Sequence, residues 1–119
     1  MSGSWLYEMS WSEVEEYLKG GDDRIIIPVG STEQHGRFAP LGTDTLVAIA
    51  LAEDASAKTG VLIAPPLWFG WSPHHLVRPG TISIRAEVLI EALCDIIRSL
   101  AKHGFKKFVI CGYKWPQNC

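Results

Sequence analysis

Residues 24–45 read RIIIPVGSTEQHGRFAPLGTDT, and this stretch decides the fold class. Its first part, Arg24–Val29, is apolar and rich in β-branched residues, which predicts a buried strand. A loop rich in glycine and proline follows, and this loop carries Glu33, His35 and Asp44. Two carboxylates and one imidazole form a ligand set that suits zinc or manganese. The stretch therefore predicts a strand that leads directly into a chemically active loop.

The spacing of these three residues allows them to meet. Glu33 and His35 are two positions apart, so both side chains point to one side of an extended segment. Asp44 reaches the same point only if residues 36–42 form a compact turn, for which their glycines and proline are well suited. Short motifs of this kind also occur by chance. The alternative is therefore a set of solvated surface groups.

The rest of the chain alternates between helical and strand patterns. This alternation predicts an α/β fold with three layers, helix, mostly parallel sheet and helix, apparently truncated. In such a sheet the loops after the strands gather at the carboxyl ends, where ligands bind. These loops are residues 30–42, 65–79 and 112–119. The first predicted helix is Ser12–Lys19, with Ser12 and Glu15 as a capping box. The second is capped by Thr43 or Asp44 and runs towards Lys58, and the third is Glu87–His103. The further predicted strands are Val61–Ala64, Lys107–Cys111 and a short one at Thr81–Ile84.

Composition limits the function classes. A length of 119 residues fits one domain, and 47% hydrophobic residues are ample for a core. The formal net charge of −2 argues against nucleic-acid or anionic-membrane partners. No apolar run reaches the roughly 18 residues that span a bilayer, and the first residues do not resemble a signal peptide. The three cysteines fit neither a disulfide framework nor a metal motif, which predicts a cytoplasmic protein in which Cys94 and Cys111 are core residues.

Two segments resemble a known family. Residues 29–36 (VGSTEQHG) and 40–45 (PLGTDT) resemble the signature of the creatininase (creatinine amidohydrolase) family. Residues 70–83 (GWSPHHLVRPGTIS) resemble that family's Gly-x-Ser-x-x-His-x-x-Phe-Pro-Gly-Thr segment. The resemblance runs from about Ile25 to Gly112. It implies a metal-dependent amidohydrolase that cleaves the C–N bond of a cyclic or small amide, and a ring-like homo-oligomer.

The resemblance also implies roles for individual residues. Glu33, His35 and Asp44 would be the metal ligands, with Asp44 able to bridge two ions. Zinc is the expected metal and manganese the alternative. Ser72 and His75 would contact the substrate. From the residues alone, Ser72 could instead bond its own backbone, and His75 could be a metal ligand or part of a solvated pair with His74.

The last residues depart from the family pattern. Tyr113 stands where the family has a further histidine ligand, and Trp115 stands near an expected carboxylate. Lys114 between them would repel a cation. The sequence therefore predicts at most one weakly held metal and poor amide hydrolysis by a chain that is a single, incomplete creatininase-like domain over residues 1–119. The second function class is a non-catalytic remnant or assembly module.

Overall fold

The computed structural model describes residues 4–112, and these form a parallel four-stranded sheet covered by helices. The strand order is β1-β3-β2-β4, and every neighbouring pair is parallel. The predicted α/β class with a parallel sheet is confirmed. The strands are β1 (Ser4–Trp5), β2 (Arg24–Val29), β3 (Leu62–Ile63) and β4 (Lys107–Gly112); the helices are α1 (Trp11–Lys19), α2 (Thr43–Thr59) and α3 (Ala86–His103), with short 3-10 helices at Leu6–Glu8 and Pro73–His75.

Strand β2 is the centre of the core because both of its faces are covered. Ile25, Ile27 and Val29 point to one face, where they pack with residues from α1 and α3. Ile26 points to the opposite face and packs with Ala52 of α2. This alternation over a wholly apolar strand is the pattern of a central strand in a helix-covered parallel sheet. It produces the three layers that the sequence predicts.

Several predicted boundaries shift in the structure. The cap of α1 is Ser10 instead of Ser12, because the Ser10 hydroxyl accepts from the Glu13 N–H while the Glu13 carboxylate accepts from the Ser10 N–H. Strand β3 has two residues, although the Ala64 N–H still donates to Ile26 O at 2.8 Å. Strand β1 was not predicted from the sequence, since two residues carry no detectable periodicity.

Other differences concern the loops and the cysteines. Residues 81–84 make two isolated bridges, Ile82 with Thr32 and Ser83 with Gly70, and no regular strand. The N-cap of α2 is Gly42 instead of the predicted Thr43 or Asp44, which both lie inside the first turn. The Thr43 hydroxyl donates to Pro40 O and therefore does not cap the helix. Cys94 and Cys111, predicted as core residues, are partly buried free thiols, and Cys111 packs against the core cluster that contains Ile26. In residues 4–112, no helix has the length and apolar character that a bilayer crossing requires.

The loops that follow β2 and β3 meet at the carboxyl ends of the strands. The Gly30 N–H donates to Leu67 O at 2.9 Å, which joins the first loop to the second. The Ile82 N–H donates to Thr32 O at 2.9 Å and the Ile84 N–H donates to Gly70 O at 2.8 Å. The parallel sheet therefore brings the segments 30–42 and 65–84 into contact, as predicted for this edge.

Candidate metal centre

Glu33, His35 and Asp44 come together at this edge of the sheet. Each offers one ligand atom, and the three atoms lie within 4.8 Å of one another. Two ligands of one ion with bonds of about 2.1 Å are at most about 4.2 Å apart, so small side-chain adjustments would bring the three atoms onto one ion. Glu33 and Asp44 are buried, whereas the His35 side chain is 21% exposed. The site therefore has two buried carboxylates and one imidazole at the solvent side.

A compact loop returns the chain to Glu33, as the sequence predicts. The Glu33 N–H donates to Leu41 O at 3.0 Å, which closes the loop between them. Gly36 has φ +82°, a backbone conformation that residues with a side chain rarely adopt. This closure sets Asp44, in the first turn of α2, beside Glu33. The positive end of the helix dipole also favours a carboxylate at that position.

Gly30 allows the loop to pass against the start of α2. A Cβ atom at this position would lie 2.5 Å from the backbone N and Cα of Thr45. No side chain fits into that space, so the absence of a Cβ decides how closely the loop approaches the helix. The close approach in turn brings Ser31, the next residue, within reach of Asp44.

Hydroxyl groups hold the two carboxylates in place. The buried Ser31 Oγ is 2.7 Å from Glu33 Oε1 and 3.0 Å from Asp44 Oδ2, so one hydroxyl links both ligands. The buried Ser72 Oγ also donates to Glu33 Oε1. The Ser72 hydroxyl therefore does not bond its own backbone, the alternative that the sequence left open. Charge-assisted hydrogen bonds of this kind fix the orientation of a carboxylate.

Two buried atoms show where an ion would fit. His35 Nε2 and Asp44 Oδ1 are buried, and neither has a hydrogen-bond partner in the part of the chain that the structure describes. The two atoms are 3.3 Å apart, close enough for an ion pair but without the geometry of a hydrogen bond. Buried polar atoms usually have partners. An imidazole nitrogen and a carboxylate oxygen are both atoms that coordinate divalent metals. The two unpartnered atoms therefore suit a divalent metal ion.

The two carboxylates of the site favour binding of a cation. Glu33 and Asp44 are both buried and share the Ser31 hydroxyl, so two negative groups lie side by side away from water. Buried charges are costly unless they are paired or coordinate a metal. Over residues 4–112, the ion-pair partner of Asp44 is His35, and no lysine or arginine pairs with it. The residues present therefore fit a divalent ion.

His75 lies next to the site without being part of the three-residue cluster. Its Nε2 is 3.4 Å from Glu33 Oε2, and its Nδ1 is 2.8 Å from the side-chain nitrogen of Gln34. The ring of His74 lies 4.1 Å away between centroids and is exposed. Of the two sequence-predicted substrate residues, Ser72 and His75, both therefore contact Glu33. Neither is solvated in the way that a surface residue would be.

The sequence reasoning missed Ser31 and Gln34. Ser31 could have been found because it shares the parity of Glu33 and His35, so all three face one side of an extended segment. Gln34 faces the other way, and only the fold brings His75 to it from 41 positions along the chain. Tyr113, Lys114 and Trp115, on which the departure from the family pattern rests, lie outside the described residues.

Known relatives share this part of the sequence. The 3-dehydro-scyllo-inosose hydrolase of Thermotoga maritima is 40% identical over 92% of this chain and 35% of its own length. The creatinine amidohydrolase of Pseudomonas putida is 33% identical over 87% of this chain and 42% of its own length. The mycofactocin precursor peptide peptidase of Mycobacterium ulcerans is 43% identical over 65% of this chain and 34% of its own length. The chain thus spans about a third to two fifths of these relatives.

Solved structures share the fold. A crystal structure of creatinine amidohydrolase (creatininase) superposes with a TM-score of 0.86 at 31% identity, covering 92% of this chain and 44% of that one. A manganese form of creatininase gives a TM-score of 0.86 at 32% identity, over 91% of this chain and 44% of that one. A creatininase variant of the Zn–Zn type gives 0.85 at 31% identity, over 92% and 45%. Metal-bearing neighbours thus share the fold on which Glu33, His35 and Asp44 cluster.

The family model described as creatinine amidohydrolase matches residues 7–113, which is most of the sequence. The signature segments, the strands β2, β3 and β4 and the cluster of Glu33, His35 and Asp44 all lie inside that match. The chain therefore belongs to the creatininase (creatinine amidohydrolase) family.

Proposed function

We propose that this chain contributes to a metal-dependent amidohydrolase and binds a divalent ion through Glu33, His35 and Asp44. The observation that carries the proposal is the pair of buried atoms, His35 Nε2 and Asp44 Oδ1, that have no hydrogen-bond partner in residues 4–112. Zinc is the preferred ion and manganese the alternative, since both metals occur in structural neighbours. A bound ion of this kind supplies an activated water and polarises a carbonyl oxygen.

The residues of this chain would hold the site together. Ser31 and Ser72 fix Glu33 through Oε1, and Ser31 also fixes Asp44. The α2 helix dipole supports the negative charge of Asp44. His35 lies at the solvent side, where a small substrate would enter. Direct contact of Ser72 and His75 with the substrate stays a prediction.

The proposed substrate class is a small or cyclic amide. One relative is named as a creatinine amidohydrolase and another as a peptide peptidase, and both names describe hydrolysis of a C–N bond. The chain covers less than half of either relative.

A second candidate is an assembly module that forms a homo-oligomer. Strand β4 pairs with β2 on one side, and Val109 and Ile110 are 54% and 42% exposed on its two faces. An apolar edge strand is a common site of association between chains. A cytoplasmic location accompanies both candidates as a prediction.

Metal analysis of purified protein tests the first candidate. Wild type and an Asp44→Ala variant are dialysed against zinc or manganese, and the bound metal is then quantified by mass spectrometry. Asp54→Ala is the matched control because Asp54 lies on the same helix, is exposed and pairs only with Lys58 among the described residues. Wild type and the Asp54→Ala control should retain metal, and Asp44→Ala should lose it. A wild-type protein that binds neither metal contradicts the proposal.

Amide hydrolysis separates the two candidates. Creatinine and small peptides are incubated with the metal-loaded protein, and the products are quantified. Hydrolysis that Asp44→Ala abolishes would favour the enzyme. Stable metal binding without hydrolysis, together with a defined oligomer, would favour the assembly module.

A further inference from the structure

Gln34 has a side chain whose orientation is fixed by the backbone. Its Oε1 accepts from the Gly36 N–H at 2.9 Å. Its own backbone N–H donates to Thr81 Oγ1 at 3.0 Å, which anchors the residue in the loop. A backbone N–H can only donate, so the amide oxygen has to face Gly36 and the amide nitrogen has to face the other way. The positions of Oε1 and Nε2 in the Gln34 amide are therefore assigned by their hydrogen bonds.

The amide nitrogen of Gln34 contacts one nitrogen of His75. The distance from Gln34 Nε2 to His75 Nδ1 is 2.8 Å. An amide nitrogen carries two hydrogens and cannot accept, so Nδ1 has to be the acceptor. A neutral imidazole has one accepting and one donating nitrogen. The proton of neutral His75 therefore belongs on Nε2.

That nitrogen lies near one carboxylate of the cluster formed by Glu33, His35 and Asp44. His75 Nε2 is 3.4 Å from Glu33 Oε2, and the His75 side chain is 19% exposed. Glu33 Oε1 already accepts from Ser31 and Ser72, so His75 approaches the other oxygen of the same carboxylate. A protonated Nε2 can donate to this oxygen but has no lone pair for an ion. His75 is close enough to be mistaken for a ligand, yet its tautomer opposes that role.

We propose that Gln34 is a positioning residue that holds His75 in the Nε2–H tautomer, so that His75 donates to Glu33 and stays out of the metal ligand set. The exclusion of His75 from the ligand set rests on the proposed function, because it presupposes a metal ion at Glu33, His35 and Asp44. The tautomer itself is independent of any ion. Residues that hydrogen-bond to a metal ligand without contacting the metal commonly orient that ligand, and their mutation typically lowers metal affinity 10–100-fold.

Nitrogen NMR of the imidazole rings tests the proposal. Metal-free protein labelled with ¹⁵N-histidine is measured at mildly alkaline pH, where ordinary imidazoles are neutral. A His75→Gln variant identifies the His75 signals by their disappearance. The wild-type spectrum should show the proton on Nε2 of His75. A proton on Nδ1 in wild type overturns the proposal without the need for any further variant.

Substitutions at Gln34 should move that proton. In Gln34→Glu the new carboxylate can only accept, so Nδ1 of His75 should carry a proton. In Gln34→Met, which has a similar size and no hydrogen bond, the Nε2–H tautomer should be less populated than in wild type, because only the contact with Glu33 still favours it. Arg37→Met is the matched control, because Arg37 is exposed in the same loop, and it should leave the tautomer unchanged. An unchanged Nε2–H tautomer in folded Gln34→Glu contradicts the proposal.

Zinc titration of the same samples keeps the two proposals apart. On zinc addition to wild type, the nitrogen shifts of His35 should change and His75 should keep its Nε2 proton. A wild-type His75 that loses this proton to zinc contradicts the inference. Absence of any zinc response, together with failure to retain manganese on dialysis, contradicts the proposed function, while the tautomer in metal-free protein still decides the role of Gln34.

Discussion

Ser31 links the two carboxylates of the site through a single hydroxyl. Its Oγ lies 2.7 Å from Glu33 and 3.0 Å from Asp44, and the side chain is buried. One hydroxyl has one proton, so this proton is shared between two negative groups. The serine is therefore as important for the arrangement as the ligands that it positions.

We expect Ser31→Ala to weaken metal binding 10–100-fold, because the two carboxylates lose the group that orients them. The metal-free protein should also lose about 1–3 kcal/mol of unfolding free energy, since buried carboxylate oxygens lose a donor. Calorimetric zinc titration and urea unfolding measure the two effects. Ser99→Ala, on an exposed helix surface where the hydroxyl bonds its own helix, should change neither. Unaltered zinc affinity in Ser31→Ala would contradict the positioning role.

Gly30 and Gly36 of the loop have different physical roles, which predicts different costs of substitution. Gly30→Ala places a Cβ 2.5 Å from the Thr45 backbone and should cost roughly 3 kcal/mol or more, as overpacking does. Gly36→Ala meets no atom within 4 Å but has φ +82°, and should cost about 1–2 kcal/mol of backbone strain. Urea unfolding of both variants measures the difference. Equal costs would mean that the loop does not pack against α2 as described.

At the scale of elements, Tyr17 connects helix α1 to the sheet. The Leu62 N–H of β3 donates to its hydroxyl at 3.4 Å, and its ring packs 6.4 Å from that of Phe105 between centroids. Burial, followed by a hydrogen bond to Asp22, raises the pKa of Tyr17 to about 12. The docked position of α1 thus favours the neutral form of the hydroxyl.

This raised pKa predicts a loss of stability in alkali. The pKa of the folded state lies above the ordinary value of 10, so the stabilisation is complete below pH 10 and is lost as the pH rises towards 12. Urea unfolding between pH 8 and pH 12 should show a steeper decline for wild type than for Tyr17→Phe. Absorbance of tyrosinate should also show one tyrosine that ionises late. Parallel declines of the two proteins would exclude Tyr17 as the cause.

At the scale of the whole molecule, β4 is the outer strand of the sheet that residues 4–112 form, and it has apolar side chains on both faces. Phe108 and Cys111 are partly buried, whereas Val109 and Ile110 are largely exposed. Helix α3 beside it buries only Leu89 and Leu93 fully. Apolar surface of this kind favours association.

We therefore predict that the protein self-associates at micromolar concentration through the β4 edge. Val109→Lys should shift the population towards monomer, because a charged side chain on an edge strand opposes pairing with another chain. Light scattering coupled to size exclusion measures the mass. Leu51→Lys, at an exposed position on α2, is the control and should keep the wild-type mass. A clean wild-type monomer would contradict the prediction.

The fold class and the cluster of Glu33, His35 and Asp44 could both be predicted from the sequence. The apolar run of β2 and the helical period of α3 are local patterns, and residue spacing is enough to recognise them. The family signature at residues 29–45 likewise contains Glu33, His35 and Asp44 within one short segment. Their convergence could be predicted because the glycines and proline between them permit a compact return.

Only the tertiary structure decided the contacts between distant segments. The serine at position 72 and the histidine at position 75 reach Glu33 because a parallel sheet gathers its loops at one edge, and no local pattern encodes that distance. The same holds for the bond from Gln34 to His75, which joins residues 41 positions apart. Hydrogen bonds form only within a few tenths of an ångström of the ideal distance and within a limited range of angles. Sequence patterns specify which residues share a face, whereas these directions follow only from the packed chain.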